Sequence, residues 1–270
     1  MPANARRRLL RVDFQPCRSP GFRKVPGGRT CTARRAASLR RLGRVVHLYC
    51  GVVTQVIPLP SNEQAHAGVM LGRAFHDDPL WTITFSNPES RPEMLVRMFT
   101  AVTRATIAAR GVAETTPGVD AVALWLPRGR RLGFWSMVRS GFALPRFAMG
   151  LPGGDRKRMM AVLGQLEDRK KALMPNSHWY LAAIGVDPEH QGEGLGSTLV
   201  TSGLRRADLQ NVPIYLETET EGNVGWYQRL GFEVIERVSA TGLDLPVWLM
   251  VRRPTSCLLY TSDAADDYFW

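Results

Sequence analysis

Tyr180-Leu181-Ala182-Ala183-Ile184-Gly185-Val186-Asp187-Pro188-Glu189-His190-Gln191-Gly192-Glu193-Gly194-Leu195-Gly196 decides the fold. Its first seven residues are apolar throughout, as a central strand covered on both faces requires. Asp187-Pro188 ends that strand, because proline has no N–H to give to the ladder. A helix then runs from Gly194 to about Leu209, with Leu195, Leu199, Val200, Leu204 and Ala207 on its buried side. Between the two, Gly192, Gly194 and Gly196 let backbone N–H groups converge with no Cβ in the way, at the positive end of a helix dipole. Such a turn is an anion site and suits a pyrophosphate.

The spacing removes two rivals. A dinucleotide fold requires G-x-G-x-x-G after an early strand, with an acid about 20 residues on. Here the pattern is G-x-G-x-G, late in the chain. A nucleotide P-loop requires Gly-Lys-Ser/Thr, and Gly196-Ser197-Thr198 has no lysine. A purely structural glycine turn remains the plain alternative.

Outward from this turn, the chain reads as strands and helices in mixed order, without repeats. Val52–Leu59 is an apolar run that predicts a first strand. Ser61 is the expected N-cap of a helix to about Phe75, with Gln64 three residues on. Pro92 near the start and Gly111 just past the end bracket a helix to Arg110. Val112–Thr116 and Val119–Leu126 flank Pro117-Gly118 and read as two strands joined by a turn. Residues 128–177 are partly helical, above all Asp155–Leu173. After the strand at 178–186 and its helix come a strand Pro213–Thr218, a short helix Asn223–Leu230, and strands near Phe232–Val238 and Val247–Arg252. That order implies an α/β fold with a mixed sheet and helices on both faces.

The formal charge of +11 suggests a polyanionic partner until its location is counted. Residues 1–51 hold 13 Lys and Arg against one acid, Asp13, and residues 257–270 hold three acids and no base. The 205 residues between them carry 22 bases against 20 acids. A nucleic-acid reading therefore rests on the amino-terminal segment alone, and none is expected for the core. Cys17, Cys31, Cys50 and Cys257 also lie outside residues 52–256. The core thus has no disulfide framework, thiol nucleophile or Cys-ligated metal, which fits a reducing, cytoplasmic setting. No apolar run approaches the roughly 20 residues of a membrane helix, so a soluble protein without membrane contact is expected.

Residues 1–51, with Arg6-Arg7-Arg8, Arg34-Arg35 and Arg40-Arg41, have no sustained amphipathic period and read as disordered. Translation from a start codon placed too early is the favoured reading, over an organelle transit peptide or a nucleic-acid-binding arm. Residues 257–270 resemble the conceptual translation of a sequencing adapter. The domain expected to fold is 52–256, with 128–177 as a helical insertion near the acceptor site.

Val186-x-Pro188-x-x-Gln191-x-x-Gly194-x-Gly196 resembles the acetyl-CoA signature of the GNAT superfamily of N-acetyltransferases. Asn223 through Trp226-Tyr227-x-x-Leu230-Gly231-Phe232 resembles the motif that follows it there. Within the superfamily, Ala74-Phe75, Asp78-Pro79, Ala123-Leu124-Trp125 and Leu216-Glu217-Thr218 are similar to the puromycin N-acetyltransferase subgroup. The resemblance covers about residues 55–253. It implies a three-layer fold whose mostly antiparallel sheet splays at the cofactor site.

It also implies residue roles. Ile184, Gly185 and Val186 would take the pantetheine arm, and Gln191, Gly192, Glu193, Gly194, Leu195 and Gly196 the pyrophosphate. Tyr227 would be the acid that protonates the departing thiolate; its plain alternative is a packing tyrosine. Asn223 is expected to cap its helix more than to touch ligand, although both roles are compatible. Glu217, on the strand lining the splay, is the candidate base or else an ordinary strand glutamate paired with a cation; Glu219 and His178 are weaker alternatives. Asp77 and Asp78 would hold a cationic amine or cap their loop. Trp125, Phe134, Trp135, Met137 and Phe142 would build an apolar acceptor pocket or lie in the core. The expected activity is acetyl transfer from acetyl-CoA to the primary amine of a small molecule by direct attack on the thioester, without metal, in a monomer or homodimer. A non-catalytic acyl-CoA-binding regulator and a nucleic-acid binder are the rival classes.

Overall fold

The computed structural model describes residues 55–174 and 177–255. The expectations for residues 1–51 and 257–270 lie outside the described residues. In chain order the elements are β1 (Ile57–Pro58), α1 (Gln64–Ala74), α2 (Pro79–Thr84), α3 (Arg91–Ala108), β2 (Val112–Thr115), β3 (Ala121–Leu126), α4 (Phe134–Arg139), α5 (Ala143–Met149), α6 (Gly153–Leu173), β4 (Trp179–Val186), α7 (Leu195–Leu209), β5 (Ile214–Thr218), α8 (Glu221–Arg229), β6 (Glu233–Ala240) and β7 (Leu245–Arg252). The sheet order is β1-β2-β3-β4-β5-β7-β6. Only β4 and β5 run parallel; the other neighbours are antiparallel.

Two faces of apolar side chains build three layers. Ala121, Ala123 and Trp125 of β3 pack with Leu199, Leu204 and Ala207 of α7 and Val224 and Tyr227 of α8. Val122 and Leu124, one residue out of phase, pack with Leu71 of α1 and Leu95 and Phe99 of α3. Val162 and Leu166 of α6 cover Tyr215 of β5 and Leu249 of β7. The alternation along β3 is the period-2 rule with both faces apolar.

Several local details depart from the sequence reading. A short 3-10 turn, Ser61–Glu63, leads into α1, and no side-chain cap bond is made by the residue preceding either element. β3 begins at Ala121 rather than Val119, because Val119 sits in the left-handed region at φ 60° and belongs to the turn. α2 was not expected; Asp78 caps it, accepting from the N–H of Leu80 at 3.0 Å and of Trp81 at 3.4 Å. Trp125 is fully buried against Trp179, with ring centroids 6.1 Å apart.

Trp125 also fixes the seat of α7. A Cβ added at Gly203 would stand 2.3 Å from Cζ2 of that indole, whose surroundings leave it nowhere to move. Gly203→Ala is therefore expected to destabilise the fold by about 1–3 kcal/mol through overpacking. Thermal unfolding of the variant should show a midpoint lower by several degrees; an unchanged midpoint would contradict this packing.

Candidate functional site

The site begins with a failure of strand pairing. β4 pairs with β5 only at Trp179↔Ile214 and Tyr180↔Tyr215, while its other edge stays paired with β3 as far as Val186↔Ala121. Beyond Tyr180 the edge of β4 that faces β5 is open. The cause lies in β4: its register with β3 slips between Leu124 and Trp125, leaving Ala182 without an opposite residue. A bulge of this kind bends its strand and increases the local twist. It also changes the phase, since Trp179 and Leu181 face α7, whereas Ala183 packs with α1 and α3. Gly185 then lies directly under α1, against Leu71 and Ala74.

The opening is the mouth of a cavity of about 890 Å³ lined along one wall by Ile184, Gly185 and Val186. Its end is the glycine turn. Gly192 and Gly194 both have φ of 83°, a conformation that L side chains rarely adopt. Gly194 precedes the first residue of α7, so the N–H groups of the helix's first turn face the cavity without partners in the helix. Gln191, Gly192, Gly194, Leu195 and Gly196 all line it. Glu193 does not join them; it is exposed and lies 3.5 Å from His190. The Gln191 side chain donates to the Val186 carbonyl at 3.4 Å.

Arg73 was missed by the sequence reading. It lies in the last turn of α1 and binds Asp187 at 3.1 Å and Glu189 at 2.7 Å, both in the stretch between β4 and the glycines. Asp187 is also held through its N–H to the Asp120 carbonyl at 2.8 Å. The turn is thus tied to α1 and to the β3 end. No local pattern announces a partner more than a hundred residues away in sequence.

Asp77, Asp78, Thr220, Asn223, Trp226 and Tyr227 complete the lining, with the Trp226 indole close to Gly196 of the turn. Asn223 lies inside α8, where Thr220 takes the capping position, so its expected role as cap is corrected and its side chain belongs to the cavity. Asp77 is almost fully exposed at the rim and binds His76 at 2.8 Å. Tyr227 is buried, with the Trp226 ring tilted against it at 4.7 Å and the Phe232 ring edge-on at 5.5 Å. Burial, then the charge of Glu219, holds its phenol well above the ordinary value. Burial likewise pushes Asp78 up to about 6, against the pull of two backbone N–H groups. Glu219 is pushed up to about 8, first by burial and then by the charges of Asp78 and Glu217.

Glu217 is in a different setting. Strand alternation places Tyr215 and Glu217 on one face of β5, and Glu219 follows in the bend just past its end. Glu217 lies two residues past the last pair, Tyr180↔Tyr215, and outside the cavity lining. Burial raises its carboxyl, while Lys170 and the hydroxyls of Tyr180 and Tyr215 pull it down. That setting matches the plain alternative of a strand glutamate facing a cation. Glu219, two residues further along the splay, is next to the cavity-lining Thr220 and electrostatically coupled to Asp78 and Tyr227. His178 lies edge-on to Tyr215, 6.2 Å away, at the paired end of the strands.

The aromatic acceptor pocket is not formed. Trp125 is core, and Phe134, Trp135 and Phe142 are exposed on α4 and the bend after it, outside the cavity lining. Among the described residues, no group of His, Cys, Asp and Glu is placed to hold a metal, and no helix is long and apolar enough to cross a membrane.

The family model described as acetyltransferase (GNAT) family matches residues 158–232, which span the splay, the glycine turn and Tyr227. An uncharacterised N-acetyltransferase of Schizosaccharomyces pombe is 29% identical over 197 residues, covering 70% of this chain and 78% of that protein. The mycothiol acetyltransferase of Saccharomonospora viridis is 41% identical over 56 residues, 20% of this chain and 18% of that protein. Among solved structures, a histone acetyltransferase HPA2 and related acetyltransferase from Corynebacterium glutamicum superposes with a TM-score of 0.53 at 19% identity, over 76% of this chain and 99% of that one. A polyamine N-acetyltransferase of Drosophila melanogaster, which catalyses formation of N-acetylagmatine, does so with a TM-score of 0.50 at 18% identity, over 74% and 99%. The fold is the GNAT fold, and the family model and relatives support a place in the GNAT acetyltransferase family.

Proposed function

We propose that this chain is an acetyl-CoA-dependent N-acetyltransferase acting on the primary amine of a small molecule. The observation that carries the reading is one cavity lined by a backbone anion cradle, an open strand edge, the Tyr227 phenol and Asp78, with Glu219 adjoining it next to the lining residue Thr220. The residues fit acetyl-CoA in three respects. The first turn of α7 offers N–H groups to a diphosphate. The free edge of β4 offers backbone groups to an amide-bearing arm, as an added strand does. The thioester end then reaches Tyr227.

Glu219 takes the proton from an incoming ammonium, leaving a neutral amine to attack the thioester carbonyl; Asp78 beside it favours the cation before transfer. A free N–H on the open edge near Ile184–Val186 steadies the carbonyl oxygen as charge develops there. Tyr227 donates its phenolic hydrogen to the sulfur as the C–S bond breaks and regains one from the proton that the attacking nitrogen sheds as it becomes an amide. Its raised pKa keeps it protonated throughout the working range. Protonation of Glu219 by the amine removes the second of the two causes of that elevation, so proton delivery becomes easier at the step that requires it. The acids near Asp78 favour a cationic acceptor, which an aminonucleoside or a small aliphatic amine would supply.

Thiol release from acetyl-CoA across a panel of primary amines tests this reading. Turnover with at least one amine is expected; tight acetyl-CoA binding without turnover with any amine would favour the regulatory class. Gly194→Ala forces a Cβ into a left-handed turn at about 1 kcal/mol or more. A calorimetric titration should show the Kd for acetyl-CoA raised roughly tenfold, and an unchanged Kd would remove this turn from the donor site.

A further inference from the structure

Residues 127–150 contain Arg128, Arg130, Arg131, Arg139 and Arg146 and no acidic residue. All five are exposed, and none forms an ion pair among the described residues. The same short stretch presents Phe134 at 66%, Trp135 at 68% and Met149 at 68% exposure, with Val138 and Phe142 beside them. The helices carrying them are anchored from the other side. Phe147 of α5 is buried edge-on against Phe85, 6.3 Å away, and Ser136 of α4 is buried. Phe142, between the helices, has φ of 55° with its ring partly in water. An aromatic residue rarely takes that conformation.

We propose that the exposed surface of the stretch 128–149, which includes α4, α5 and the turn before them, docks on an anionic lipid surface, its aromatic and Met side chains entering the headgroup boundary and its arginines meeting the phosphates. Charge and composition select this occupant. Five arginines without an acid repel a second copy of the same face. They also repel residues 1–51, with 13 bases against one acid. Val138 and Met149 have no ring to stack on a nucleic-acid base, whereas all the apolar members suit an acyl boundary. Arg-rich polar flanks beside Trp and Phe are the composition of helices that lie in a membrane interface.

The test is sedimentation of the full chain with vesicles of phosphatidylcholine, with and without phosphatidylglycerol, alongside the variants Phe134→Ser/Trp135→Ser and Arg130→Ala/Arg131→Ala/Arg139→Ala. Each arginine near an anionic surface is worth about fivefold in partitioning. Binding to the anionic vesicles alone is expected, weakened on the order of 100-fold by the triple variant and at least tenfold by the aromatic one. The thermal midpoints should not move, since every substituted side chain is exposed. A blue shift of tryptophan emission on binding should shrink in Trp135→Phe. Equal binding by wild type and the aromatic variant would assign the attraction to the amino-terminal arginines and overturn the proposal. Absence of vesicle binding would overturn it too, as would binding of single-stranded RNA that depends on Phe134 and Trp135 in place of vesicle binding.

Discussion

Tyr227→Phe is expected to lower kcat by roughly 10²–10⁴-fold, the usual contribution of a positioned acid. The ring stays, so its contacts with Trp226 and Phe232 stay, and the KM for acetyl-CoA should change by only a few fold. Loss of kcat without loss of donor binding is the signature of a group that acts in the transition state. Because the phenol's pKa is held above its ordinary value, its ionisation should leave no alkaline limb in the wild-type profile near neutrality. A Phe variant with full kcat would return Tyr227 to the role of a packing residue.

Glu219→Gln should have a comparable effect and a distinct pH dependence. Burial and neighbouring charge push this carboxyl up to about 8. As a base it must be ionised, so wild-type kcat/KM should climb as pH rises through about 8 and level off above it. The Gln variant should lose roughly 10²–10⁴-fold and with it that limb. Stability gives the opposite sign. A carboxyl whose folded pKa lies above its unfolded value binds more protons when folded, so the fold loses stability as pH rises from about 4.5 through about 8. Gln at this position should therefore raise the thermal midpoint above wild type on the alkaline side and leave it unchanged in acid. Glu217→Gln, which disturbs a carboxyl held by Lys170, Tyr180 and Tyr215, should leave the pH limb in place. Loss of the limb in Glu217→Gln, with the limb kept in Glu219→Gln, would reverse the assignment.

The glycine-turn half of the proposed site was legible because its physics is local. Three glycines between an apolar strand and an apolar-striped helix specify an anion cradle whatever the rest of the chain does, and Tyr227 followed in a recognisable motif. The acceptor half was less legible. Nothing in the sequence marks the point at which β4 leaves β5, and Glu217 and Glu219, both beyond it, differ in the partners that folding gives them. That point depends on the bulge at Ala182, and a uniformly apolar strand conceals a bulge because no polar residue marks the change of face. Trp125 looked like pocket material because indoles suit pockets, and the cue that it is core lay 78 residues away, in Gly203. Arg73 is hidden for the same reason: its partners Asp187 and Glu189 are neighbours only after folding.

The most direct test of the central claim follows one acetyl group. Wild-type protein, acetyl-CoA and the best amine from the panel are mixed, and free thiol and acetylated amine are counted together by mass spectrometry, with Tyr227→Phe run alongside. One acetylated amine per thiol released is expected, at a rate that falls in the variant while acetyl-CoA still binds. Thiol release without acetylated amine, or a rate indifferent to Tyr227, would contradict direct transfer at this cavity.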